Sequence, residues 1–210
     1  MPRVLSTDEV QDFRRRLLEV AERAFADQGI EGVSVRQLAQ QLGCSAMTPY
    51  RYFRDKSEIL AAVTAAALNR FSGALEEAFA LMGNAWERSA AVRRAYLRFA
   101  FENPRAYKLM FDLPHPRISD FPDLASAAHR AEQIMAAPME LLVNDGHLVG
   151  DAHLLGRIFW SAIHGAVSLQ LAGKLDQAPS FDDVLDGMLR LIISGATATA
   201  HHRAPIALVH

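Results

Sequence analysis

Ser45, Ala46, Met47 and Thr48, followed by Tyr50, Arg51, Tyr52, Arg54 and Lys56, form a run in which small and polar side chains lead and aromatic and basic ones come after. Short side chains can reach base edges in the major groove of DNA, where each base pair displays its own pattern of donors and acceptors. The aromatic and basic residues suit phosphate oxygens, contacts that fix register without reading sequence. The chemistry expected is recognition. A glycine-rich phosphate loop, a nucleophile elbow, a zinc-protease helix and a recognisable Ser/His/Asp triad are all missing from the sequence, so no enzyme is expected and no motif requires a cofactor.

These residues need elements to position them. Apolar residues recur at helical spacing along nearly the whole chain and runs of alternating β-branched residues are lacking, which predicts an all-α protein. A first helix opens at "STDE", with Ser6 as cap, and carries Val10, Phe13, Leu17, Val20, Ala21, Ala24 and Phe25 on one stripe until Gly29. A second opens at "SVRQ", where Ser34 can accept from the amide of Gln37 while the Gln37 side chain reaches back, and stops at Gly43. A very short third helix is expected from Ser45 to about Phe53, and a long fourth from the Asp55 cap to about Met82. Further helices are expected near 85–101, 104–112, 122–145, 152–173 and 181–200, separated by turn chemistry, with an irregular tail "HHRAPIALVH".

Two short helices joined by a glycine-containing turn, "VRQLAQQLGCSAMTPYRYF", have the dimensions of a helix-turn-helix. Ser34 and Arg36, at the start of its first helix, join the candidate DNA contacts. Pro49 inside its second helix needs explaining, because a mid-helix proline costs about 3 kcal/mol. With Ser45 as N-cap, Pro49 is the fourth helical residue and deletes only the first helical bond. Alternatively, Thr48 is the cap and Pro49 the first helical residue, where proline is favoured. The first reading is preferred, because the second leaves little helix to fill a groove.

The longer stretch "LAQQLGCSAMTPYRYFRDKSEIL" resembles the DNA-binding signature of the tetracycline-repressor (TetR) family, which Gly43, Ser45, Tyr50, Tyr52, Phe53, Lys56 and Leu60 match. The resemblance implies that Tyr50, Tyr52 and Lys56 bind phosphates and that Ser45 to Thr48 face bases. Pro49 departs from it, since many members carry leucine there. Downstream, "FWSAIHGAVSLQL" sets Trp160, His164 and Gly165 in a W-x-x-x-H-G arrangement after "ENPRAYKLMF", which resembles the "WHG" class of TetR ligand-binding domains. An N-terminal three-helix DNA-binding domain (residues 1–54) and a helical ligand-binding and dimerisation domain (55–210) are therefore expected.

Trp160 and His164 are four apart and share a helix face. His164 is either a satisfied core histidine or part of a pocket. Family members generally hold a ligand cavity among the central helices, and the resemblance points to Phe99, Phe111, Met135, Met139, Trp160 and His164 as lining for a small, mostly apolar effector. The last two helices carry more apolar surface than one monomer can cover. A homodimer through Leu155, Phe159, Ala162, Ala166, Leu185, Met188, Ile192 and Gly195 is expected, and it would place two recognition helices on a near-palindromic double-stranded operator.

The charge balance does not by itself announce a polyanion partner. The net charge is −2, with nine basic and eight acidic side chains up to residue 56 against thirteen and sixteen beyond. The one cysteine, Cys44, cannot close an internal disulfide, the N-terminus lacks a secretory apolar core, and no apolar run approaches the roughly 20 residues of a membrane span, so a cytoplasmic home is expected. Two other signals remain possible triggers. Asp145, His147, Asp151 and His153, with His129, are metal-ligand types, although a polar turn explains them more simply; Cys44 beside the recognition helix offers redox control, although plain packing is the simpler account.

Overall fold

The computed structural model describes residues 7–114 and 116–197; Ser6, expected as the first cap, and the tail from His201 lie outside them. Eight α-helices succeed one another: α1 (Thr7–Gln28), α2 (Val35–Gln41), α3 (Lys56–Phe79), α4 (Ala85–Glu102), α5 (Pro104–Phe111), α6 (Pro122–Asn144), α7 (Ala152–Leu171) and α8 (Phe181–Thr197). Two 3₁₀ turns, Pro49–Arg51 and Ile118–Asp120, complete the set, and the described residues contain no strand. The all-α expectation holds. Helix α3 ends three residues short of the expected Met82, which is 99% exposed. The reason is a competing start: Asn84 accepts from the Glu87 amide at 3.0 Å and the Glu87 carboxylate accepts from the Asn84 amide at 2.8 Å, capping α4 reciprocally.

The chain divides into two compact units, one made of the described residues up to Ala74 with Arg98–Glu132, the other of Leu75–Leu97 with the described residues from Gln133 onward. Helices α3, α4 and α6 each contribute residues to both.

In the first unit the stripe read on α1 is the core, with Leu17, Ala21 and Phe25 fully buried among Leu38, Ile59 and Tyr107. Gly29 ends α1 at φ +73°, a conformation that only glycine adopts without strain. Helix α5 then ties the end of α1: Lys108 Nζ donates to the Ala26 carbonyl at 2.8 Å, and Arg105 Nε pairs with Asp27 at 2.8 Å. Two cations thus meet a carbonyl and a carboxylate at a helix C-terminus, where orphan acceptors and the negative dipole end favour them. The Asp27 hydrogen bond also raises the Arg105 pKa above its ordinary value. Phe71 sits beneath, edge-on to Phe99 (centroids 5.3 Å apart) and to Phe111 (6.1 Å).

In the second unit α7 and α8 pack together. Asp151 caps α7 by accepting from the Leu154 amide at 2.9 Å. The Ser180 hydroxyl and amide both donate to Asp183, which holds that carboxyl below its usual pKa and starts α8. Gly156 lets α7 approach α6 closely, because a Cβ there would sit 3.4 Å from the Ala136 Cα.

Phe71→Ala is expected to lose about 3–5 kcal/mol in urea unfolding, because an aromatic with no exposed surface leaves a cavity. Met82→Ala should stay within about 0.5 kcal/mol.

Candidate nucleic-acid interface and ligand cavity

Helix α2 opens as read, with the Ser34 hydroxyl accepting from the Gln37 amide at 3.3 Å and Gln37 Oε1 accepting from the Ser34 amide at 2.7 Å. It closes on Gly43 at φ +67°. Cys44 is half-buried, with its thiol turned 3.5 Å from the Ala39 carbonyl at the end of α2.

The segment after it differs from the preferred reading. Ser45 does begin the turn, but the chain then enters a 3₁₀ turn with Pro49 at its first position and Thr48 before it, the arrangement held as the alternative. Pro49 has no amide to donate to the Ser45 carbonyl, so the Thr48 amide takes it at 2.9 Å and the turn tightens to i→i+3 bonds. Arg51 then donates to Thr48, and both Tyr52 and Phe53 donate to Pro49. The Ser45 hydroxyl lies 3.4 Å from the Met47 amide, a weak cap.

Pro49 and Phe53 are buried, while Ser45, Ala46, Met47 (68% exposed), Tyr50 (47%) and Arg51 face outward and Thr48 is half-buried. Arg36 and Ser34 are exposed on α2. Two residues assigned to phosphates by the resemblance are also engaged inside the protein. The Tyr52 ring stacks on Phe13 with centroids 4.4 Å apart, and its carbonyl accepts from Arg14 at 2.8 Å. Lys56 Nζ donates to the Ile30 carbonyl at 3.0 Å.

The second unit holds a cavity of about 320 Å³. Leu75 of α3, Trp86, Ser89, Ala90, Val92, Arg93 and Tyr96 of α4, and Met135, Pro138, Met139 and Leu142 of α6 form part of its wall. Phe159, Trp160 and Ile163 of α7 with Leu189 and Ile193 of α8 complete it. Of the six residues expected to line a pocket, Met135, Met139 and Trp160 do so. His164 is outside the lining but stacks on Trp160 with ring centroids 5.6 Å apart. Phe99 and Phe111 belong to the aromatic cluster of the first unit instead, because their rings fill the space around Phe71. The α4 residues were missed, although positions 86, 89, 90, 93 and 96 recur at the three- and four-residue spacing of one helix face.

Of the residues expected at a dimer interface, Leu155, Phe159, Ala162, Ala166 and Leu185 are buried within the protomer, Met188 and Ile192 are half-buried, and Gly195 is exposed. The outward stripe on α7 is Leu154, Ile158, Ser161 and Leu169 with the half-buried Gly165 between them, joined on α8 by Leu191 (76% exposed) and Gly195. The largest apolar side chains satisfied their own core first, leaving neighbours one position away to face out.

The turn before α7 gathers no metal set: the described residues contain no group of three or more His, Cys, Asp or Glu side chains able to hold an ion. Asp151 is the α7 cap, His147 packs near Trp86 (5.8 Å), and His153 lies 3.9 Å from Glu140. No helix among the described residues is long and apolar enough to cross a membrane.

The elements of the described residues are all helical and include a helix-turn-helix, the architecture of a transcription regulator. Residues 17–63 match the bacterial regulatory proteins of the tetR family, and residues 89–192 match the tetracyclin repressor-like C-terminal domain. The chain belongs to the TetR family of transcriptional regulators. An HTH-type transcriptional regulator of Mycobacterium tuberculosis is 23% identical over 218 residues, spanning 89% of this chain and 93% of its own length. A solved protein of unknown function from Rhodococcus sp. RHA1 is 28% identical over 94% of this chain and 100% of its own, with a TM-score of 0.75. The TetR family transcriptional regulator PfmR from Thermus thermophilus is 26% identical over 85% and 97%, with a TM-score of 0.65.

Pro49→Leu is expected to fold normally and to shift stability by less than about 1 kcal/mol in urea unfolding, since the regained amide bond opposes the regained freedom of the unfolded chain. A larger loss would show that the buried ring, not the backbone, is what the site requires.

Proposed function

We propose that this regulator is a ligand-responsive repressor that binds a near-palindromic operator as a homodimer and is released by a small, mostly apolar effector. The supporting observation is the apolar cavity of about 320 Å³, with both of the chain's tryptophans in its wall, on the same chain as a helix-turn-helix. Function then divides near residue 54: the segment before it meets DNA and the remainder binds ligand and partner, in the cytoplasm where the chromosome lies.

In this reading Ser45, Ala46, Met47 and Thr48 approach base edges, and Tyr50, Arg51, Tyr52, Lys56, Arg36 and Ser34 hold phosphates. The exposed stripe of Leu154, Ile158 and Leu169 with Leu191 and Gly195, and the half-buried Gly165 among them, meets its copy across a two-fold axis, where a Cβ-free Gly165 and Gly195, with open space around them in the protomer, admit close helix approach. Ligand and operator weaken each other by the same factor, as linkage requires.

The test is fluorescence anisotropy with DNA from upstream of the protein's own gene across a salt series. Specific binding should weaken steeply with salt, and Arg51→Ala should lower affinity for all sequences and reduce the log–log salt slope by about 0.9 for each phosphate it no longer neutralises. Lack of any specific complex, there and in a random-site selection, would sink the repressor reading. Separately, Leu191→Arg should sediment as a monomer with unchanged helix content; a variant that stays dimeric places the interface elsewhere.

A further inference from the structure

The wall of the cavity carries a single formal charge, the guanidinium of Arg93. The other arginines of α4 are accounted for. Arg88 donates from Nε to the Phe79 carbonyl at 2.8 Å and lies 4.1 Å over the Phe79 ring, while Arg94 and Arg98 are exposed. Arg93 is half-buried, and no hydrogen bond or ion pair joins it to any of the described residues. Ser89, one turn earlier on the same face, brings a hydroxyl to the same stretch of wall.

A half-buried cation beside methionine, proline and aromatic side chains is only partly hydrated, so an anion that enters gains an interaction stronger than the same pair would have in water. The planar fork of a guanidinium matches a carboxylate in two parallel hydrogen bonds. One cation balances one negative charge; a phosphate dianion would leave its second charge buried and uncompensated. The cavity volume of about 320 Å³ falls within the range of small-ligand sites. All but the carboxylate end must be apolar to suit Met135, Met139 and Trp160.

We propose that the ligand of this cavity is a small monocarboxylate with an apolar body, whose carboxylate pairs with Arg93. The proposal rests on the cavity being the effector site and names the chemistry of what enters it.

Octanoate and 1-octanol share chain length and differ in charge, and both tryptophans line the cavity, so fluorescence titration with calorimetry reads binding without DNA. Octanoate should bind at least about tenfold more tightly than octanol to the wild-type protein. Arg93→Met, which keeps the apolar stem, should abolish that preference by weakening octanoate and leaving octanol as tight or tighter. Equal affinity for the two probes, undiminished octanoate binding by Arg93→Met, or no binding of octanoate at millimolar concentration each overturns the proposal. Octanoate held through Arg93 with operator affinity unchanged would instead uphold this assignment and remove the effector role.

Discussion

The segment after Gly43, reduced to one 3₁₀ turn, has too few hydrogen bonds to hold its own shape, and under the proposed reading whatever it presents to DNA depends on how that turn is held. The holding comes from α1 and the loop after it. Arg14 reaches the Tyr52 carbonyl and lies over the Phe53 ring at 4.2 Å, Phe13 stacks on Tyr52, and Lys56 reaches back to Ile30. Pro49 packs beneath, buried, where its ring substitutes shape for the amide bond it cannot make. The outward residues from Ser45 to Arg51 therefore project from a frame whose rigidity belongs to the neighbouring helices.

The cavity of the second unit arises from an opposite arrangement, in which one side of α6 packs closely and the adjoining side does not. Ala136 lies so near Gly156 of α7 that an added Cβ would already be in van der Waals contact with it, while Met135, Pro138 and Met139 line the cavity. Pro138 sits inside α6 and removes the amide that would bond to the Ile134 carbonyl, a fault in the helix that coincides with the cavity wall. Methionines on either side of it are flexible enough to take the shape of what enters.

What was legible in the sequence was what local chemistry decides. The capping box at Ser34, the glycine stops at Gly29 and Gly43, and the helical stripe of α1 all rest on residues within a few positions of each other. What was not legible needed knowledge of distant neighbours. Phe99 and Phe111 are as aromatic as Trp160, and only the position of Phe71 sends them to a different cluster. On α7 and α8 hydrophobicity alone marked Leu155 and Leu185, which the protomer's own core claims, and passed over Leu154 and Leu191. Arg93 carried no signal by itself, since an arginine on an amphipathic helix ordinarily faces water; its place in line with Trp86, Ser89 and Tyr96 was the available clue. The short segment after Gly43 differs from the preferred reading because that reading required enough α-helix to fill a groove, whereas the chain, lacking the Pro49 amide, settles into a 3₁₀ turn.

Transmission between ligand and DNA, under the proposed reading, is constrained by the same connectivity. Helices α3, α4 and α6 each give residues to both compact units, and two of them, α4 and α6, furnish ten of the residues lining the cavity. A ligand shifts an equilibrium only by its difference in affinity between two arrangements of the protein. Apolar contacts with conformable methionines discriminate weakly between such arrangements, because the side chains repack around the ligand in either. A charged pair does not adapt in this way, since it demands a fixed distance and orientation and weakens steeply when either is lost. The group best able to convert occupancy into a preferred position of α4 is therefore Arg93, which makes the one charged anchor in the wall matter more for coupling than the larger apolar surface that supplies most of the affinity.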